Sequence, residues 1–309
     1  MKDVTRIQKR NIILSDIKRN KYIYIMVLAV VAWYCVFCYA PMYGVIIAFK
    51  DYSIGRGIWS SPWIGLRNFV LFFNDINFYR IVKNTLLINI YDIIWGFPAP
   101  IIMALLLNEV RKKHFKKAIQ TLTYLPYFIS MVVVCGIIVN FTSTNGIINQ
   151  VLASFGFEKT NLLSKSEFFR TIYIGSGIWQ NIGWGSIIYM AALTNINPEL
   201  YESAVIDGAG KWKQLVHITL PGIASTIIVL LILRIGSIMN VGFEKIILLY
   251  NPLTYETADV ISSYVYRRGL LNADYSYSTA IGLFNSVINF LFLVAANWLS
   301  KKFTESSLW

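Results

Sequence analysis

The chain has 309 residues, of which 56% are hydrophobic and 14% charged, with a mean hydropathy of +0.55 and a formal net charge of +12. A soluble domain of this length alternates its core with many more charged surface positions, so the composition excludes one and indicates a polytopic membrane protein. The positive charge alone would allow a nucleic-acid surface, but its distribution along the chain reads as a topology signal, and no nucleic-acid partner is expected.

Residues 1–21 carry Lys2, Arg6, Lys9, Arg10, Lys18, Arg19 and Lys21, interleaved with Ile7, Ile12, Ile13, Leu14 and Ile17. This pattern predicts a basic N-terminal segment, part of it an amphipathic helix on the membrane surface. The first apolar run, about 22–48, is long and lacks a small-residue cleavage site, so it is read as a span and not as a secretory signal. Its Cys35 and Cys38 form a C-x-x-C, but with no second pair and no histidine cluster they read as ordinary thiols facing lipid or helix. An aromatic loop follows, with Trp59, Trp63 and Phe69. A second span is expected at about 79–108, kinked by Pro98 and Pro100. Residues 109–118 form a short basic loop, and a third span runs over about 119–141 with Pro126 near its start. The next loop holds a short stretch, Gly146 to Phe157, suited to a surface helix.

The fourth span, about 171–195, is rich in small residues (Gly175, Ser176, Gly177, Gly183, Gly185, Ser186), which let helices approach closely. The fifth begins at about 222, and Gly236, Asn240, Gly242, Glu244 and Lys245 leave its far end indefinite. A loop containing Asn251-Pro252 then runs to about 275, before a sixth span at about 277–299. The expected organisation is all-α: a basic segment at 1–21, a six-helix membrane domain at 22–300, and a tail at 301–309. Six spans place both termini on one side. That side holds 7 Lys/Arg in residues 1–21, 5 in 109–118, 2 in 197–221 and 2 in the tail, against 3, 3 and 2 in the opposite loops. By the positive-inside rule the termini face the cytoplasm.

Enzymatic chemistry has little to stand on. Gly208-Ala209-Gly210-Lys211 resembles the end of a phosphate loop only superficially, because Trp212 occupies the place of the hydroxyl that would hold magnesium. There is no His-Glu-x-x-His and no Gly-x-Ser-x-Gly, and the histidines are His114 and His217.

The segment 197–221 stands apart as a polar island between apolar runs. Asn197 is a good N-cap, Pro198 suits the first helical position, and Glu199 and Glu202 lie near the positive end of the helix dipole. Gly208 can adopt the left-handed conformation that stops a helix. Leu215, Val216 and Ile218 then recur at roughly helical spacing until Pro221 opens the next apolar run. This is a helix-turn-helix hairpin on the cytoplasmic face, and two ordered helices in a linker indicate that something docks there.

Glu202-Ser203-Ala204, Gly208 and Ile218-Thr219-Leu220-Pro221 resemble the signature of binding-protein-dependent ABC importer permeases. That signature reads Glu-Ala-Ala, three residues, Gly, nine residues, Ile-x-Leu-Pro; the one departure is Ser203 for alanine. Ile178-Trp179-Gln180-Asn181-Ile182-Gly183-Trp184-Gly185 and the stretch from Gly242 to Pro252, with Ala258-Asp259-Val260 and Tyr264-Val265-Tyr266, are similar to the carbohydrate branch, like the lipoprotein-linked sugar permeases of Gram-positive bacteria. The resemblance implies a type I importer permease in the bacterial cell membrane, forming half of an oligosaccharide pathway beside a second homologous permease chain. It also implies two ATP-binding cassette subunits and an extracellular solute-binding lipoprotein, which would meet the outer loops carrying Trp59, Trp63 and Tyr255. No cofactor is expected on this chain: ATP and Mg²⁺ would sit on the ATPase subunits. The hairpin would be the coupling helix, with Glu202 and Asp207 pairing with basic groups, Ser203, Ala204, Ala209 and Trp212 giving docking contacts, and Gly208 the turn. Importers of peptides or amino acids would share the hairpin, while a secondary transporter would leave it unexplained.

Polar side chains inside spans usually face a cavity or a partner helix. Candidates for a substrate path are Gln180 and Asn181 on the fourth span, Arg234, Asn240 and Glu244 on the fifth, and Asn285 and Asn289 on the sixth. Trp179, Trp184 and Tyr189 are candidates for stacking on sugar rings. Interhelical hydrogen bonding and aromatic packing explain each of them equally well. Arg234 and Glu244 could also form a mutual ion pair, and Asp92 a pair with a neighbouring helix.

Overall fold

A computed structural model describes Asp16 and residues 18–304. Most of the basic segment expected at 1–21, and the end of the tail at 301–309, lie outside the described residues. The described chain is helical, apart from short connections and one isolated antiparallel bridge between Lys50 and Trp63.

Among the described residues, five helices are long and apolar enough to cross a membrane. They include α1 (Lys21–Phe49) and α2 (Phe78–Glu109). A short amphipathic helix, α3 (Lys113–Tyr124), follows. The next apolar stretch, Met131–Ser154, comprises α4 (Met131–Thr142) and α5 (Ile147–Ser154). The long helix α6 (Ser166–Thr194) leads to α7 (Pro198–Ile206) and then to the span α8 (Lys211–Ile235). Short helices α9 (Phe243–Leu249) and α10 (Ile261–Tyr266) precede the last span, α11 (Tyr275–Thr304).

The sequence reading of six apolar spans is therefore met by five. The remaining expected span corresponds to α6, whose 29 residues are long enough but whose glycines, Gln180 and Asn181 dilute its hydropathy. The third span also begins later than expected. Residues 113–124 are amphipathic helix, Pro126 opens a 3₁₀ turn at Leu125–Phe128, and α4 starts beyond it, capped by the Ser130 side chain accepting from the Val133 amide. The 251–275 loop is largely helical as well, through Tyr255–Ala258, α10 and a wide turn at Arg267–Leu271.

Three of the prolines inside the long helices each follow a π-helical turn. The turns are Cys35–Tyr39 before Pro41, Asp92–Gly96 before Pro98, and Leu215–Thr219 before Pro221. Proline lacks an N–H, and its ring collides with the carbonyl four residues back. Letting the preceding amide reach back five residues (Phe97 N–H donates to Asp92 O at 2.8 Å) moves that carbonyl aside. Hence Pro221 does not separate two elements as expected: α8 continues through it.

Helix α6 is the central element, packed against α2, α3 and α8. On its inner side Tyr189 and Leu193 meet Ile101 and Ala104 of α2 and Ile223 of α8 in one buried cluster. Further along, Phe169 and Ile174 join Val134, Cys135 and Ile138 of α4 and Ile246 and Leu249 of α9. A third cluster gathers Phe72, Ile81, Ile261, Tyr264, Tyr277 and Ile281. Helix α1 contributes almost nothing to these cores and presents its apolar face outward; only its last turns pack on α11. Small residues on α6 set the close approaches. A Cβ on Gly183 would collide with the backbone carbonyl of Thr123, and one on Gly185 would stand 3.0 Å from Pro100. Gly183→Val is expected to abolish recovery of folded protein in detergent, while Gly175→Val, with nothing within 4 Å of its Cβ position, is tolerated. Size-exclusion profiles of the two variants check this, and a normal monodisperse Gly183→Val peak would refute it.

Candidate functional site

The hairpin folds from local signals. The Asn197 side chain accepts from the Glu199 amide at 3.1 Å and caps α7. At the other end Gly208 has φ +72, the left-handed conformation, and the Ala209 amide donates to Ala204 O at 2.8 Å, closing the helix end. The Gln214 side chain donates to Ala209 O at 2.9 Å, and the hydroxyls of Tyr201 and Thr219 lie 3.0 Å apart, so both arms are tied together. Lys211 pairs with Glu109 at 3.1 Å, fixing the hairpin to the end of α2. None of α7 is buried. Glu202, Ser203, Asp207 and Gly208 are exposed, Ala204 and Ala209 half-buried, and Trp212 is 75% and Ile206 86% exposed. Large apolar side chains are thus held exposed in an ordered turn, with acidic groups beside them.

Two cavities run along the inner face of α6. The first, about 520 Å³, is lined by Asn89, Asp92, Tyr173, Gln180, Asn240, Glu244 and Lys245 among others. The second, about 570 Å³, is lined by Phe97, Pro100, Ile182, Ile188, Tyr189 and Leu230 among others. Both share Asp92, Gly177, Asn181 and Arg234. A salt bridge between Arg234 and Asp92 therefore stands at the waist where a polar chamber meets a more apolar one. This decides the pairing left open by the sequence: Arg234 joins Asp92, and not Glu244.

Of the other path residues, Asn181 lines both cavities and donates to Gly177 O at 2.9 Å. Asn240 and the exposed Glu244 line the first. Asn285 and Asn289 bond to Asn240 Oδ1 at 2.8 and 3.1 Å, and Asn289 also accepts from the Met239 amide, so this amide group mainly holds the break after α8 to α11. The two tryptophans lie outside both cavities. Trp184 stacks on Tyr127 at 4.6 Å, and Trp179 lines an apolar cleft of about 460 Å³ among α4, α5 and α6. Sequence reasoning missed Lys245 as a lining residue, although a lysine beside an apolar run was itself the signal.

It also missed a buried ionic cluster at the far end of the bundle from the hairpin. Asp259 is fully buried and accepts from Arg267 at 2.7 Å, Arg80 at 3.2 Å and Ser263 at 2.8 Å. Its backbone oxygen accepts from Asn84, whose own oxygen accepts from Arg170 at 2.8 Å. The network ties α2, α6 and the 251–275 segment together. Beside it Asp75 accepts from the hydroxyls of Tyr264 and Tyr277 and from the Asn77 amide. Burial opposes the charge on Asp75, but these donors outweigh it and hold the carboxyl below the ordinary carboxylate range.

Residues 85–305 match the family described as binding-protein-dependent transport system inner membrane component. Protein LplB of Bacillus subtilis (strain 168) is 45% identical over 96% of this chain and 93% of its own length. The polygalacturonan/rhamnogalacturonan transport system permease protein YteP of the same organism is 44% identical over 98% of this chain and 94% of that protein. Among solved structures, a chain of a bacterial ABC transporter involved in import of the acidic polysaccharide alginate is 47% identical, with a TM-score of 0.87, covering 94% of this chain and 99% of that one. A chain of a bacterial alginate ABC transporter in complex with an alginate pentasaccharide-bound periplasmic protein is 46% identical, with a TM-score of 0.87, covering 95% of this chain and 99% of that one. The chain is therefore a membrane transport component and not an enzyme, and it belongs to the family of binding-protein-dependent transport system inner membrane components.

Proposed function

We propose that the chain is the permease subunit of an ATP-driven importer of oligosaccharides, forming half of the pathway beside a second, homologous permease chain. The observation that carries this reading is the ordered, exposed hairpin at 197–221, since a chain without a phosphate loop needs a surface through which another subunit's ATP hydrolysis can act. Two cytoplasmic ATPase subunits, binding ATP and Mg²⁺, take Glu202, Asp207 and Trp212 in a cleft. Closure of those subunits rotates the hairpin, and with it α7 and α8. The cavity waist at Asp92 and Arg234 then opens to the outside, where a solute-binding protein delivers the sugar. In this arrangement α6 is a sixth span: the surrounding helices shelter its polar residues, which is why it need not be apolar itself. The excess of Lys/Arg on the hairpin side supports cytoplasmic termini. The names of relatives that belong to a polygalacturonan/rhamnogalacturonan transport system and to an alginate importer support a saccharide as the solute.

Purification of the assembly from its own cells in mild detergent, followed by reconstitution in liposomes, tests this. Co-purification of ATPase and solute-binding subunits and ATP-dependent uptake of labelled oligosaccharides are expected. Uptake driven by an ion gradient without ATP would overturn the reading.

A further inference from the structure

Four charged side chains line the polar cavity: Asp92, Arg234, Glu244 and Lys245. Asp92 and Arg234 neutralise each other. Glu244 is exposed and, one residue from Lys245 on α9, projects about 100° away from it. Lys245 differs from all three, being buried at 5% exposure with no carboxylate within ion-pair distance among the described residues. Its Nζ donates to Tyr173 O at 2.8 Å and stands 4.6 Å from the Tyr173 ring.

Those contacts do not explain why an ammonium is there. The Tyr173 carbonyl lies inside α6, where the amide four residues on supplies its donor, so it is not in want of one. A buried ammonium without a counter-charge is costly, and an apolar side chain of similar length would fill the position without that cost. An ammonium has three donors, and one carbonyl uses one of them. Gly177, one turn beyond Tyr173 on α6, stands beside the ammonium: a Cβ there would approach the Nζ to 3.3 Å, and the missing side chain keeps that side of the ammonium open to the cavity.

We infer that Lys245 is a specificity-determining residue that receives the carboxylate of a uronate-containing oligosaccharide as it passes through the cavity. The inference rests on the saccharide reading above. The passing carboxylate supplies the absent counter-charge, replacing water around the ammonium with a charge-assisted hydrogen bond, and Gly177 leaves room for the sugar ring behind it. A neutral sugar of the same length gains nothing at this position.

The test uses the complete complex in liposomes. Uptake is measured for tetrasaccharides of galacturonate and of alginate, each native and after reduction of its carboxyl groups to alcohols. Because the binding protein is the same throughout, the readout is the ratio of variant to wild type for each probe. Lys245→Met, which keeps the length and removes the charge, is expected to lower uptake of the native probes about tenfold, a change of about 1.4 kcal/mol, and leave the reduced probes within about twofold. Lys245→Arg retains most native uptake, and ATPase stimulation by the loaded binding protein reports that coupling is intact. Equal losses for native and reduced probes, or no loss for either, would overturn the inference while leaving the saccharide reading standing. A wild-type complex that takes up none of the probes would overturn the saccharide reading itself.

Discussion

Gly208→Pro is expected to reduce ATP-driven uptake to background while the protein still inserts in the membrane at a normal level. Proline fixes φ near −65°, and Gly208 sits at +72, so the substitution cannot be absorbed locally. It also deletes the amide that donates to Val205 O at 3.0 Å. The turn would open, and Ala209 would lose the bond to Ala204 that closes α7. Since α7 buries nothing within the chain, the effect on folding is small and the effect on docking is large. Gly208→Ala should be intermediate, because a left-handed alanine costs about 1–2 kcal/mol. Gly210→Ala should be silent, with φ −69 and nothing near its Cβ position. The measurement is uptake per unit of membrane-inserted protein. Near-normal uptake by the proline variant would mean the hairpin does not transmit the ATPase stroke.

Asp259→Ala should give the largest loss of stability. It leaves Arg267 and Arg80 without their carboxylate, and removing one partner of a buried pair costs about 3–5 kcal/mol. The lower end applies, because the Arg80 side chain is 38% exposed and regains hydration. In detergent the apparent melting temperature should fall by roughly 10 °C, taking about 2–4 °C per kcal/mol for a chain of this size. Asp259→Asn keeps an acceptor for Ser263 and Arg267 and should lose less. Adding Arg267→Met to Asp259→Ala should recover part of the loss by removing one stranded charge. A melting temperature within a degree of the wild type for Asp259→Ala would show that the cluster contributes nothing to the fold.

How far the sequence carried depends on the range of the interaction that fixes each feature. The hairpin was legible almost residue by residue, because Asn197, Pro198 and Gly208 act within a turn of where they stand. Five of the six expected apolar spans were legible from hydropathy within a few residues, except where Pro126 divides a helix and where α8 runs through Pro221; α6, the other one, is not apolar enough to count. The cavity was only half legible. Arg234 and Asp92 lie 142 residues apart, and nothing local says that α2 and α8 bring them together. The tryptophans were assigned to the path by residue type, but in a helix that is apolar nearly all round, periodicity does not select a face. Trp179 and Trp184 turn away from the cavities while Gln180 and Asn181, between them in sequence, turn inward. The Asp259 cluster joins three separate segments and left no trace in spacing.

The wide turn at Asp92–Gly96 fixes the angular phase of α2. A turn holding one extra residue shifts every later side chain by about 100° around the axis relative to an uninterrupted helix. Asp92, before the shift, faces Arg234; Ala104 and Pro100, after it, face the buried cluster and Gly185. The irregularity beside Pro98 thus acts as a phase adjustment, keeping Phe97 and Pro100 on the cavity they share with Asp92 while Ala104, further on, packs against α6.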